Sequence, residues 1–228
     1  MHEGHRDRVK KRFRQEGLDY FSDIQALELL LFYGIPRVDT NPIAHALLDR
    51  FGSLSQVLEA SPEELMKVPG VGENAALLLT LIPQMGRFYM VDRSSRVTIL
   101  QTLEQCADFL VPHFFGRKVE TVFILCLDAK CKLLCCKELG EGGPNSTGVS
   151  IRKIVETAIG VNAATVVLAH NHPSGLAVPS AEDIQTTRRI AHALQAVEIT
   201  LADHIIVADG DYVSIAMSDD RFRDCLLI

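Results

Sequence analysis

The chain has no tryptophan, only 6% aromatic residues and no apolar run of membrane-spanning length. Its longest apolar stretches, Leu27 to Ile35 (broken by Glu28) and Ala75 to Pro83, fall well short of the roughly 18 residues that a transmembrane helix needs. The opening residues, Met1-His2-Glu3-Gly4-His5-Arg6, are charged and offer no apolar signal region. These absences predict a soluble, cytoplasmic protein with no membrane partner. A surplus of positive charge is missing too. Lys and Arg number 23 against 29 Asp and Glu, a net −6, which argues against a chain that coats nucleic acid over its whole surface. The six cysteines contain no Cys-x-x-Cys pair, which excludes a zinc deaminase. Several lie in apolar segments and read as free thiols rather than disulfides. Cys131, Cys135 and Cys136 leave a thiolate metal site open as an alternative.

What is present divides in two. Residues 1–90 read as all-helical. Ile24 to Tyr33 carries helical apolar spacing, Asn41-Pro42 reads as a helix start with Asn as cap, and Ser61-Pro62-Glu63-Glu64 as a capping box. Val68-Pro69-Gly70-Val71-Gly72 then links two helices in the pattern of a helix-hairpin-helix motif, whose glycines allow a tight turn and close approach to a phosphate. Any αα-hairpin can turn through Gly-x-Gly, and Glu63, Glu64 and Glu73 make this a poor phosphate surface. Arg6, Arg8, Lys10, Lys11, Arg12 and Arg14 crowd the N-terminus; they read as a solvated helix face or as a grip on phosphates. DNA is therefore a possible partner of residues 1–96.

The polar stretch 91–98 reads as a linker, and residues 99–228 have α/β texture. A helix near Thr102 to Phe115 precedes strands over Val119 to Leu127 and Lys132 to Leu139. Gly140 to Gly148 reads as a loop, Ile151 to Gly160 as a helix and Ala164 to Ala169 as a buried strand. A helix after Ser180 and a strand near Ile205 to Ala208 complete the set.

The chemistry gathers after the buried strand, in His170-Asn171-His172-Pro173-Ser174-Gly175. Residues two apart on a strand share a face, so His170 and His172 can aim at one point. Asp183 lies in the first turn of the helix capped by Ser180. If that helix packs beside the strand end, its carboxylate completes a two-histidine, one-carboxylate set, the ligand pattern of a catalytic zinc with one open position. Taken singly, Ser-x-x-Asp is a helix cap and a histidine after a buried strand is a core residue.

His-x-His, seven residues, then Ser-x-x-Asp resembles the JAMM motif of the MPN metallohydrolases. The string HNHPSGLAVPSAED, with Leu201-Ala202-Asp203-His204-Ile205-Ile206 and Tyr212-Val213-Ser214, is similar to the bacterial RadC (UPF0758) family over nearly the whole chain. The resemblance implies an α/β (α+β) MPN/JAMM-like domain, with a mixed sheet and flanking helices, behind an all-α helix-hairpin-helix domain. It implies one zinc per chain and an unnamed peptide or protein substrate. It also implies a glutamate on an early strand as general acid/base. Glu120 falls at that place, with Glu138 and Glu141 as rivals, and Ser180 would polarise the carbonyl or stabilise the oxyanion. One departure is Lys153, where many relatives carry an acidic residue. The resulting expectation is a zinc-dependent hydrolase of metallopeptidase or isopeptidase type. The alternative is a DNA-associated repair or recombination accessory protein whose metal site is structural or vestigial.

Overall fold

The computed structural model describes residues 3–94, 99–142 and 149–218. The chain divides into two compact units, Met1–Gly86 and Arg87–Ile228.

The first unit is helical: α1 (Glu3–Glu16), α2 (Asp23–Gly34), α3 (Asn41–Phe51), α4 (Leu54–Glu59), α5 (Pro62–Leu65) and the start of α6 (Glu73–Ser94). Its core is Leu27, Leu31, Ile43, Leu47, Val57, Leu65, Val71, Ala75, Ala76 and Leu79 with their neighbours. The Val68–Gly72 turn joins α5 to α6. Gly70 takes φ +90, and a Cβ there would meet Ile43 Cδ1 at 2.8 Å, so the turn demands glycine. The cap of α3 is Thr40 rather than Asn41, which occupies the first helical position and donates its N–H to Asp39 Oδ1. At Ser61 the hydroxyl accepts the Glu64 N–H, but the Glu64 carboxylate turns outward to Arg50 and Lys67, so the capping arrangement is one-sided. Half of the basic N-terminal run is engaged within this unit. Arg6 donates to the carbonyls of Phe32, Ile35 and Val38. Arg12 donates to Glu16, Gln25 and Tyr20, and Lys10 lies over the Tyr33 ring.

Helix α6 continues to Ser94, so the stretch read as a linker is helical over 91–94. Val91-Asp92-Arg93-Ser94 contains no glycine or proline to stop it. Residues 95–98 lie outside the described residues. No described helix is long and apolar enough to cross a membrane.

The second unit is built on β1 (Thr121–Leu127), β2 (Leu133–Glu141), β3 (Thr165–Asn171), β4 (Thr200–Ala208) and β5 (Asp211–Ser214). Their order is β2-β1-β3-β4-β5. All pairs are antiparallel except β3 with β4, so the sheet is mixed. Alternation along the strands feeds two cores. Val122, Ile124, Cys126, Val166 and Leu168 pack against α8 (Ile151–Gly160) and α9 (Ala181–Gln195). Phe123, Leu125, Leu127, Val167 and Ala169 pack against α7 (Leu103–Leu110) and the 3-10 turn Val111–Phe114. A short α10 (Ile215–Ser218) follows β5. Strand β2 runs on through Gly140 and Glu141, where a loop is predicted, because a register shift beside Val122 absorbs one extra residue near Gly140. The remainder of that loop, 143–148, lies outside the described residues.

Candidate metal centre

The histidine-bearing strand is central, flanked by β1 and β4. His170 lies within its buried run, which ends at Asn171, and points to the α9 face, the same side as Val166 and Leu168. His172 follows just past the strand, its N–H held by the Val207 carbonyl at 2.8 Å. That extra rung extends the alternation and sets both rings on one side. Pro173 ends the strand. Gly175 then turns the chain at φ +84, where a Cβ would meet Asp209 Oδ2 at 2.9 Å.

The two imidazoles approach through their Nε2 atoms at 3.0 Å. From the first turn of α9, Asp183 brings Oδ1 within 3.3 Å of His170 Nε2 and Oδ2 within 3.5 Å of His172 Nε2. Glu120, just before β1, places Oε1 3.7 Å from His170 Nε2. The structure thus gathers all four of the residues that sequence reasoning assigned to ligation and proton transfer. Of the two rivals to Glu120, Glu138 pairs with Arg117 at 2.7 Å, and neither belongs to a metal-binding group among the described residues. No thiolate set forms either: among the described residues, the group of three or more able to hold a metal ion is Glu120, His170 and His172.

Donors bound tetrahedrally at about 2.0–2.2 Å from one zinc stand roughly 3.3–3.5 Å from each other. The two His–Asp183 separations, 3.3 and 3.5 Å, match that spacing, and the two Nε2 atoms stand closer, at 3.0 Å. The His172 Nδ1–H donates to the Leu176 carbonyl at 3.1 Å. A carbonyl only accepts, so this bond leaves His172 Nε2 with a lone pair facing His170. The donor set therefore fits a cation.

Burial grades across the site. The His170 side chain is fully buried and that of Asp183 is 9% exposed, whereas His172 and Glu120 reach 19% and 34%. The site opens to solvent on the Glu120 side. Burial opposes ionisation of Asp183. The His170 ring in its Nε2-protonated form and the Ser180 hydroxyl and N–H outweigh it and hold the carboxyl well below its usual range.

Ser180 is the N-cap of α9, in a reciprocal capping box with Asp183. Its Oγ accepts the Asp183 N–H at 3.1 Å and donates to Oδ2 at 2.6 Å, so its one proton is engaged by the carboxylate.

Three residues complete the site that spacing alone did not indicate. Asn171, between the histidines, points to the opposite face. Its Oδ1 accepts the Thr121 N–H at 2.8 Å and its Nδ2 donates to the Val119 carbonyl at 3.2 Å. Those bonds grip the backbone on both sides of Glu120 and hold it against the end of β3. His204 on β4 and Thr187 on α9 lie behind His170. His204 Nε2 is 2.8 Å from His170 Nδ1, and His204 Nδ1 is 2.6 Å from Thr187 Oγ1. Complete burial pushes the His204 pKa well below the ordinary imidazole value, and the nearby His170 pushes it the same way. His204 sits in a stretch that carries the family resemblance, but only the tertiary packing of β4 against β3 reveals what it touches. Lys153, the departure from the pattern, donates to the Leu139 carbonyl of β2.

A family model described as the RadC-like JAB domain matches residues 100–220, and one described as UPF0758 N-terminal matches residues 3–77. A UPF0758 protein of Paraburkholderia xenovorans is 33% identical over 210 residues, covering 92% of this chain and 83% of its own. A UPF0758 protein of Fusobacterium nucleatum is 33% identical over 219 residues, covering 93% and 94%. With a helical region followed by a five-stranded mixed sheet and flanking helices, and with matches along nearly its whole length, the chain belongs to the RadC (UPF0758) family and carries a JAB domain of JAMM-type hydrolase fold.

Proposed function

We propose that the protein is a zinc-dependent hydrolase of metallopeptidase or isopeptidase type, with one zinc per chain held by His170, His172 and Asp183. The observation that carries this reading is the convergence of both Nε2 atoms and the Asp183 carboxylate at 3.0, 3.3 and 3.5 Å. Asp183 suits the ligand role better than Glu120, because it faces both rings and is the more buried of the two carboxylates. A zinc ion there would act as a Lewis acid and lower the pKa of a coordinated water to about 7. Glu120, on the open side and clamped through Asn171, would accept a proton on its carboxylate and deliver it to the leaving nitrogen. Ser180 supports the site through its bond to Asp183, and its oxyanion role would require the hydroxyl to release that bond on substrate binding. The substrate is a peptide or protein.

Metal analysis of the purified chain and its variants tests the reading. About one zinc per chain is expected in wild type, none in His172→Ala, and full zinc with loss of peptide or isopeptide hydrolysis in Glu120→Gln. Equal zinc in wild type and His172→Ala refutes the ligand set, and zinc lost in Glu120→Gln makes Glu120 a ligand instead of the proton carrier.

The second reading, a DNA-associated accessory protein, draws on the basic run in α1. Arg6 and Arg12 are spent on contacts within their own unit, which leaves Arg8, Lys11 and Arg14 as its main support. Salt-dependent binding of branched DNA by the full chain, reduced by charge removal at those three positions, is the result it requires.

A further inference from the structure

A histidine binds a metal through Nε2 only when its proton sits on Nδ1. For His170 the choice is made by a chain of buried partners behind it. The chain starts at Thr187, whose hydroxyl lies 2.6 Å from the Asp183 carbonyl, a group that can only accept. Thr187 therefore gives its single proton to that carbonyl. At 2.6 Å from the same oxygen, His204 Nδ1 must be the donor. His204 is wholly buried and its ring nitrogens face a hydroxyl and a second imidazole, so it is neutral and its Nε2 carries a lone pair. That lone pair, 2.8 Å from His170 Nδ1, takes the His170 proton.

We infer that Thr187 and His204 act as positioning residues that set the tautomer of His170 before any metal arrives, leaving Nε2 bare and aimed at His172 and Asp183. The inference rests on the proposed metal site for its purpose and on the hydrogen-bond chain for its content. The arrangement also couples two ligands. Thr187 is bonded to the backbone of Asp183, so the same hydroxyl that orients the relay to His170 braces the first turn of α9, which presents the Asp183 carboxylate. Such outer partners commonly account for 10–100-fold in metal affinity, an order-of-magnitude range.

The test uses the full chain labelled with 15N-histidine, freed of metal by a chelator and held near pH 8. The expected wild-type spectrum shows His170 protonated at Nδ1 and unprotonated at Nε2. In Thr187→Val the His204 Nδ1–H loses its acceptor. His204 should then carry its proton on Nε2 and His170 should switch to the Nε2–H form. Zinc affinity, read by competition with a chromophoric chelator, should fall by about 10–100-fold and return in Thr187→Ser, which restores the hydroxyl. A wild-type His170 protonated at Nε2 overturns the inference without any variant. So does a Thr187→Val protein that binds zinc as tightly as Thr187→Ser. A wild type that binds no zinc would sink the hydrolase reading instead, and the metal-free spectrum would still decide the chain.

Discussion

Replacing Asp183 by asparagine separates two jobs that its carboxylate does at once. Without metal, Oδ2 takes the Ser180 N–H at 2.8 Å and the Ser180 hydroxyl at 2.6 Å. An amide oxygen can take the same bonds, so α9 keeps its cap. What is lost is a negative charge at a helix N-terminus, worth about 0.3–1 kcal/mol. The folded state also holds the carboxyl below its usual range, so its charge stabilises the fold above about pH 4 and that contribution fades as the pH falls. The D183N variant should therefore show a flatter acid limb. The metal-dependent part is larger. Zinc at about 100 times its Kd stabilises the bound state by about 2.7 kcal/mol. For a unit the size of Arg87–Ile228 that raises the melting temperature by roughly 5–11 °C. Calorimetric scans at neutral pH, with zinc and with chelator, should give a rise of that order in wild type and under about 2 °C in D183N. An equal zinc-dependent rise in both proteins refutes Asp183 as a ligand, whatever the metal-free stabilities are.

Three further outcomes follow from the geometry. Asn171→Asp keeps the acceptor for Thr121 but sets an oxygen against the Val119 carbonyl; it should cost about 1–3 kcal/mol in chemical denaturation and lower hydrolysis while zinc content holds. Ser180→Ala should cost about 0.5–2 kcal/mol through loss of the α9 cap, with zinc content near one per chain; complete loss of zinc would show that the serine is needed to present Asp183. Burial raises the Cys106 and Cys136 thiols to about 12, so at pH 8 on the order of one in 10,000 is thiolate. Peptide mapping after iodoacetamide should find both unmodified in the native protein, modified increasingly as the pH climbs toward 12 and fully modified after unfolding; rapid native labelling at pH 8 would contradict the burial of Cys106 and the raised thiol of the half-buried Cys136.

The helices and strands were largely legible because local signals agree with the final environment. Helix α8 spans Ile151–Gly160 as its sequence implies, and Ser180 caps α9. The apolar run at 164–169 becomes a central strand with both faces covered. The misreadings have local causes. A polar stretch with no helix breaker stayed helical over 91–94, and a bulge let β2 pass through a glycine that looked like a loop start.

His170, His172, Asp183 and Ser180 were identifiable from spacing, since a strand period of two and a helix first turn define where short-range neighbours point. The sequence by itself determined the two-unit organisation, the pair of histidines on one strand face and the acidic residue capping the next helix. Only the tertiary structure decided the rest. Pairing of β1 with β3 brings Glu120 to the histidines across 50 residues of chain, and Asn171 holds it there. Parallel pairing of β3 with β4 puts His204 behind His170, and packing of α9 on the same face adds Thr187. Periodicity describes neighbours along one element. The proton inventory of a buried site depends on which elements become neighbours in space.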